Sequence, residues 1–345
     1  MPVVDSIGMF ALAESFPEQV ADAFREYSKM SGLPRREDIE NVVVLGMGGS
    51  GVAGDVLAAV AAPLLPIPVT VVKGYECPHF VGEGSLVFAI SASGDTEETI
   101  QAASDAALAG AKMVAVTAGG ELAQLASGWG IPLVRVPPGI PQPRAALGAM
   151  TIPLLAVLWR MGLLAGANYW VEQAVRQLGH RRDELATAGD ASAAAEVARR
   201  IGATVPLIHG GGPLGSVAAC RWRTQVNENA KRPAFSNSQP ELCHNEICAW
   251  APGASGIGEF LTVVTLRHDA EHPQVARRFD ISAKLAKPWV AGIVEIRAEG
   301  EGDLAQLLDL IYYADYVSLW LAALSGVDPG PVDVLASVKR QLAGA

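Results

Sequence analysis

The stretch "SASGDTEET" (91–99) gathers three hydroxyls, Ser91, Ser93 and Thr96, around Gly94, directly before a run with helical periodicity. The first amides of a helix have no partner inside it, and they sit at the positive end of its dipole. Hydroxyls beside such amides make a cradle for a phosphate or another anion. Capping alone needs only one hydroxyl, and Glu97 and Glu98 already complement the dipole in the first turn. A second stretch, "VVVLGMGGSG" (42–51), ends an apolar run in glycines. Gly46, Gly48 and Gly51 have the spacing of a dinucleotide fingerprint. A dinucleotide site also wants an acidic residue closing the second strand, to hold a ribose. That strand ends "VVKGYE", where Glu76 comes late and after a lysine, and the hydroxyl loop would have no task. A phosphate-bearing ligand suits both stretches better, and no cofactor is expected.

Loops of this kind are useful only where a parallel sheet presents them, beyond the carboxyl ends of its strands. The sequence supplies that frame. The segment before residue 40 reads as helical, with Phe16, Val20, Phe24 and Tyr27 at three- and four-residue intervals. Apolar, β-branched runs then predict strands over 41–46, 67–73, 85–91, 112–118 and 132–137, alternating with helical segments that include 52–61 and the stretch up to Gly110. Such alternation predicts a parallel sheet covered on both faces. Residues 145–203 are Ala- and Leu-rich and read as helices. The alternation resumes at "TVPLIHGGGPLGSVAACRWR" (204–223), which repeats the strand, glycine turn and helix of the first motif. Strands over 260–268 and 289–297, a long helix over 303–324 and a terminal helix to the chain end follow. The chain therefore reads as two similar α/β units: residues 1–150 with a leading helix, connecting helices over 151–203, and a second unit over 204–345.

Bulk properties narrow the partners. The 345 residues carry a net charge of −10 and no basic run, which argues against nucleic acid as a ligand. Half of the residues are hydrophobic, yet "PLLAVLWRMGLLAGA" (153–167) is broken by Arg160 and is too short to span a bilayer. The first residues show no basic region leading into an apolar core, so a cytoplasmic protein is the expectation. The four cysteines, Cys77, Cys220, Cys243 and Cys248, read as free thiols. Cys243, His244 and Cys248 crowd together without the paired spacing of a zinc site, so no metal is expected.

Five motifs in order, "GMGGSG", "SASGDTEET", "PRAALG" (143–148), "NENAKRPAF" (227–235) and "ELCHNE" (241–246), resemble the bifunctional phosphoglucose/phosphomannose isomerases of the sugar isomerase (SIS) superfamily. The resemblance extends through the closing "LWLAALSGVDPGPVDVLASVKRQL". It implies two SIS domains, each a doubly wound five-stranded parallel sheet flanked by helices, assembled as a homodimer. It also implies that Gly48, Gly49, Ser50, Ser91, Ser93 and Thr96 hold a phosphosugar, with the SASGDT loop on its phosphate. The activity implied is aldose–ketose isomerisation between glucose 6-phosphate or mannose 6-phosphate and fructose 6-phosphate through a cis-enediolate.

Such chemistry needs a carboxylate base, a charge to steady the developing oxyanion and an acid for ring opening. By resemblance Glu228 is the base, Arg144 steadies the enediolate, and His244 opens the ring from across the dimer interface. Asn227 and Asn229, poor helix formers on either side of Glu228, suggest polarity kept there for a reason. The sequence departs from the family at one place. A lysine is implied near the ring oxygen from the penultimate helix, whose sequence "LIYYADYVSLWLAALSG" holds neither Lys nor Arg. His244 alone, or Lys339 in the terminal helix, could serve instead. A non-catalytic phosphosugar sensor is the alternative reading, since SIS domains also act as regulatory modules.

Overall fold

Runs such as "VVVL" and "LVFAI" are stiff at χ1 and apolar on both sides, so they form strands only where helices cover both faces. The computed structural model describes residues 3–187, 189–251, 256–342 and 344. Two short helices, α1 (Met9–Glu14) and α2 (Phe16–Tyr27), lead into β1 (Asn41–Gly46), α3 (Gly48–Ala61), β2 (Val69–Val72), β3 (Ser85–Ile90), α4 (Glu97–Leu108), β4 (Lys112–Thr117), α5 (Gly120–Trp129) and β5 (Leu133–Arg135). These strands form one parallel sheet in the order β2-β1-β3-β4-β5. The strand order reverses between β1 and β3, where Gly46 pairs with Ile90. The glycine and hydroxyl loops leave the sheet side by side at that switch point, the place where open α/β sheets bind ligands.

Three helices, α6 (Leu147–Arg160), α7 (Ala167–Thr187) and α8 (Ala193–Ile201), link the halves. The second half contains β6 (Val205–Gly211), α9 (Gly212–Ala230), β7 (Phe235–Gln239), β8 (Leu261–Arg267), α10 (Pro273–Ala286), β9 (Gly292–Arg297), α11 (Asp303–Leu324) and α12 (Asp333–Leu342). Its sheet runs β7-β6-β8-β9, all parallel, which repeats the β2-β1-β3-β4 portion of the first sheet. The expectation of five strands in each sheet therefore needs correction: the second has four among the described residues. Strand β7 has no counterpart among the predicted strands. Its residues, "FSNSQ", form an edge strand with exposed or half-buried positions up to Gln239, so no apolar run announces it. The terminal helix is described to Leu342, and residues 343 and 345 lie outside the described part.

A continuous core runs from α2 and α3 through α6 and α7 to α9 and α11. Helix α11 is buried nearly all round, which explains an apolar composition dense enough to suit a membrane. Its polar residues are accordingly paired inside the protein. Asp309 accepts from Arg181 Nε at 2.8 Å and Nη2 at 2.9 Å, and also from Gln177 and the Glu299 amide. This pair fastens α7 to α11. Breaking a buried pair from one side leaves an uncompensated charge. Arg181→Met should therefore lower stability by about 3–5 kcal/mol in urea unfolding, whereas Arg181→Met with Asp309→Leu should cost clearly less.

Candidate active site

Helix α3 begins at Gly48, four residues earlier than its sequence suggests, so the glycines belong to its first turns. They permit close approach. A Cβ at Gly51 would lie 2.7 Å from the Gly46 carbonyl, and one at Gly54 would lie 2.8 Å from Val44 Cγ1. Gly48 adopts a left-handed φ of +51° and faces open space. Gly49 lies against the backbone of Arg144, with 3.5 Å between its Cβ position and Arg144 Cα. Ser50 is buried, and its hydroxyl points at Met150 Sδ at 3.4 Å.

In the hydroxyl loop the three side chains divide their tasks. Ser91 is 0% exposed; its Oγ lies 2.8 Å from Thr96 Oγ1 and accepts from the Gly94 amide at 3.1 Å. Ser93 is exposed and accepts from the Asp95 amide at 3.3 Å. Thr96 occupies the N-cap of α4 without bonding the first-turn amides, which leaves that helix end free of a side-chain cap. The open part of the cradle is thus Ser93, Thr96 and the α4 amides, with Ser91 fixing Thr96 from behind. Gly94, at φ +83°, is required here because a Cβ would come within 1.8 Å of the Gly119 carbonyl.

Arg144 is 2% exposed, in a short 3-10 turn ahead of α6. Nε donates to Asn229 Oδ1 at 2.7 Å, Nη1 to Gln142 Oε1 at 2.8 Å, and Nη2 to the Pro329 and Gly330 carbonyls at 2.6 and 2.9 Å. Nη1 also lies 3.6 Å from Glu228 Oε2, whose side chain is 29% exposed. Burial pulls the Arg144 pKa down, an effect that the charge of Glu228 opposes. Asn229 uses its other end to donate to Ser318 on α11 at 2.9 Å, and Asn227 donates to the Arg232 carbonyl at 2.8 Å. The two asparagines beside Glu228 therefore have definite partners. The Pro329–Gly330 turn takes part in this network through backbone carbonyls, which no side-chain pattern signals.

The structure brings Glu228, Arg144 and the glycine loop together, but not His244. Glu228 lies near the end of α9, sixteen residues from Gly212, or ~24 Å at the α-helical rise. His244 follows β7, whose last residue Gln239 pairs with Gly211, at the start of α9. The two side chains thus belong to opposite ends of the second half. The loop carrying His244 is firmly braced. Cys243 Sγ donates to Gln239 Oε1 at 3.1 Å and Asn245 donates to Glu241 at 2.9 Å. Glu246 accepts from Asn237 at 2.9 Å and pairs with buried His209 Nε2 at 2.7 Å. His244 itself is exposed.

The "Bacterial phospho-glucose isomerase C-terminal SIS domain" signature matches residues 190–342, and the "SIS domain" signature matches residues 37–129. A bifunctional phosphoglucose/phosphomannose isomerase from Caldicellulosiruptor bescii is 36% identical over 97% of this chain and 99% of its own. Its counterpart from Aquifex aeolicus is 34% identical over 88% and 90%. The chain belongs to this isomerase family. The enzyme reading thereby prevails over the sensor. Among solved structures, the C-terminal domain of glucosamine-fructose-6-phosphate aminotransferase from Francisella tularensis superposes with a TM-score of 0.67 at 14% identity, covering 93% of this chain and 96% of its own. That likeness speaks for the fold alone.

The brace on the isomerase's histidine loop should respond to acid. Burial pushes the Glu246 pKa up, but the hydrogen bonds from His209 and Asn237 outweigh it and hold the carboxyl below its usual 4.5. A depressed carboxylate contributes stability above its unfolded value and loses it as pH falls through the folded one. Hydrogen exchange in residues 241–250 should accelerate as pH drops below that range, beyond the intrinsic pH effect. Glu246→Gln should show the faster exchange already at neutral pH.

Proposed function

We propose that the protein isomerises aldose 6-phosphates, glucose 6-phosphate or mannose 6-phosphate, to fructose 6-phosphate through a cis-enediolate, with Glu228 as the base. The observation that carries this is the half-exposed Glu228 carboxylate held 3.6 Å from the buried guanidinium of Arg144, whose backbone packs against Gly49 of the glycine loop. The phosphate takes the open hydroxyls of Ser93 and Thr96 together with the first amides of α4, while Ser91 keeps Thr96 oriented. Gly48, Gly49 and Ser50 line the sugar, mainly through backbone. Glu228 takes the C2 proton of the opened aldose and returns it to C1. Arg144 places positive charge beside Glu228 and the enediolate.

Ring opening falls to His244. Because His244 and Glu228 occupy opposite ends of one chain's second half, we assign the histidine to the site of a second copy in a homodimer. Its exposure on an otherwise braced loop supports that assignment. No cofactor and no metal enter this scheme, since the reaction moves protons only. A cytoplasmic setting suits a sugar phosphate substrate and four free thiols.

Glu228→Gln keeps shape while removing the proton acceptor. Turnover and deuterium exchange at C1 and C2 in heavy water should fall together by about 10²–10⁴-fold. Affinity for fructose 6-phosphate should barely change, because the phosphate contacts lie elsewhere. Exchange left intact in Glu228→Gln would assign the proton transfer to another group.

A further inference from the structure

Arg144 is well placed to organise Glu228 and badly placed to touch a substrate. Four of its five N–H groups already have acceptors within the chain, the fifth lies on the nitrogen that faces the Glu228 carboxylate, and the side chain is almost wholly buried. An oxyanion forming at the sugar needs a donor with an N–H still free and exposed. Lys231, three residues past Glu228, meets that need. Its ammonium donates to the Glu228 carbonyl and, at 3.1 Å, to the Pro329 carbonyl, the same oxygen that Arg144 holds. An ammonium has three donors, so one remains. The residue as a whole is exposed.

The backbone adds an independent observation. Lys231 ends α9 at φ +55° and ψ +34°, and it is the one non-glycine residue with positive φ among the described residues. Helices commonly end in this conformation, but on glycine or asparagine. A side chain kept where glycine would relieve strain points to a use for that side chain. Burial of the ammonium, followed by the neighbouring Arg144, also lowers its pKa, which eases proton donation.

We propose that Lys231 is a further catalytic residue, the cation that hydrogen-bonds the enediolate oxygen at the Glu228 end of the sugar. The inference rests on the isomerase reading. As Glu228 removes the C2 proton, the C2–H electron pair becomes the C1–C2 π bond and the C1 carbonyl pair moves onto O1. Lys231 donates its free N–H to that oxygen. The proton on Glu228 returns to C1, the O2 hydroxyl proton passes to O1, and the carbonyl re-forms at C2. Nothing is oxidised or reduced, and no other reactant is consumed.

Lys231→Gly separates catalysis from architecture, because glycine favours the left-handed backbone and removes only the ammonium. The variant should fold with a melting temperature near or above that of the wild type and bind fructose 6-phosphate. Its kcat should fall about 10²–10³-fold with little change in KM. Lys231→Arg should recover part of the loss. Lys231→Asn, which also tolerates positive φ, provides the same test if the glycine variant folds poorly. Unchanged kcat in the folded variants, or a loss confined to KM, overturns the assignment. Wild-type turnover serves as the reference, so failure of the isomerase reading shows before any substitution, and failure of Lys231 shows only in the variants.

Discussion

A guanidinium almost wholly out of water must find a partner for each of its nitrogens, and Arg144 finds them in three separate parts of the chain. Gln142 is local, Asn229 comes from the end of α9, and the Pro329 and Gly330 carbonyls come from the turn after α11. Arg221 tightens the same knot by donating to the Arg144 carbonyl at 2.6 Å while pairing with Asp315 on α11. Removing any one partner would leave a buried charge or donor unsatisfied, at a cost of a few kcal/mol. The position of Glu228 follows from that constraint. The neighbouring Asn229 is locked to Arg144, and the Glu228 carboxylate lies 3.6 Å from the same guanidinium.

The two halves share a strand order but not a task. In the first, a glycine loop and a hydroxyl loop leave the sheet side by side at the switch point between β1 and β3. In the second, the corresponding glycines bring α9 against β6 so closely that a Cβ at Gly210 would meet the Gly215 carbonyl at 1.8 Å. There His268 Nε2 lies 2.8 Å from the Gly211 carbonyl. What the second half contributes to the first is the far end of α9, with Glu228, Asn229 and Lys231. Its own carboxyl edge carries His244 away from that site, and the dimer assignment rests on this separation.

Much of the frame was legible because it is written in apolar periodicity. Strands β1, β3, β4 and β8 and helix α11 coincide closely with runs of the right period and composition, while the helical segment before residue 40 holds two α-helices and ends earlier, at Tyr27. Strand β7 escaped because an edge strand exposed along most of its length needs no apolar run. The fourfold strand count of the second sheet was equally invisible, since the resemblance implied five. At the site, hydroxyls before a helix and asparagines beside Glu228 gave usable signals. Burial of Ser91 and the partners of Arg144 gave none, because both depend on which distant atoms arrive nearby. The carbonyls of Pro329 and Gly330 belong to that class, and so does the left-handed backbone of Lys231.

The separation of Glu228 from His244 is the claim on which the catalytic account turns, and complementation between two inactive variants tests it most directly. Glu228→Gln and His244→Ala would each be folded, inactive alone, and mixed in equal amounts under conditions that allow subunit exchange. A shared site predicts recovery of about a quarter of wild-type activity, since half of randomly paired C2 dimers join unlike chains and each such dimer holds one intact site. No recovery, with exchange verified by mass labelling, would contradict sharing and place the ring-opening group in the same chain as Glu228.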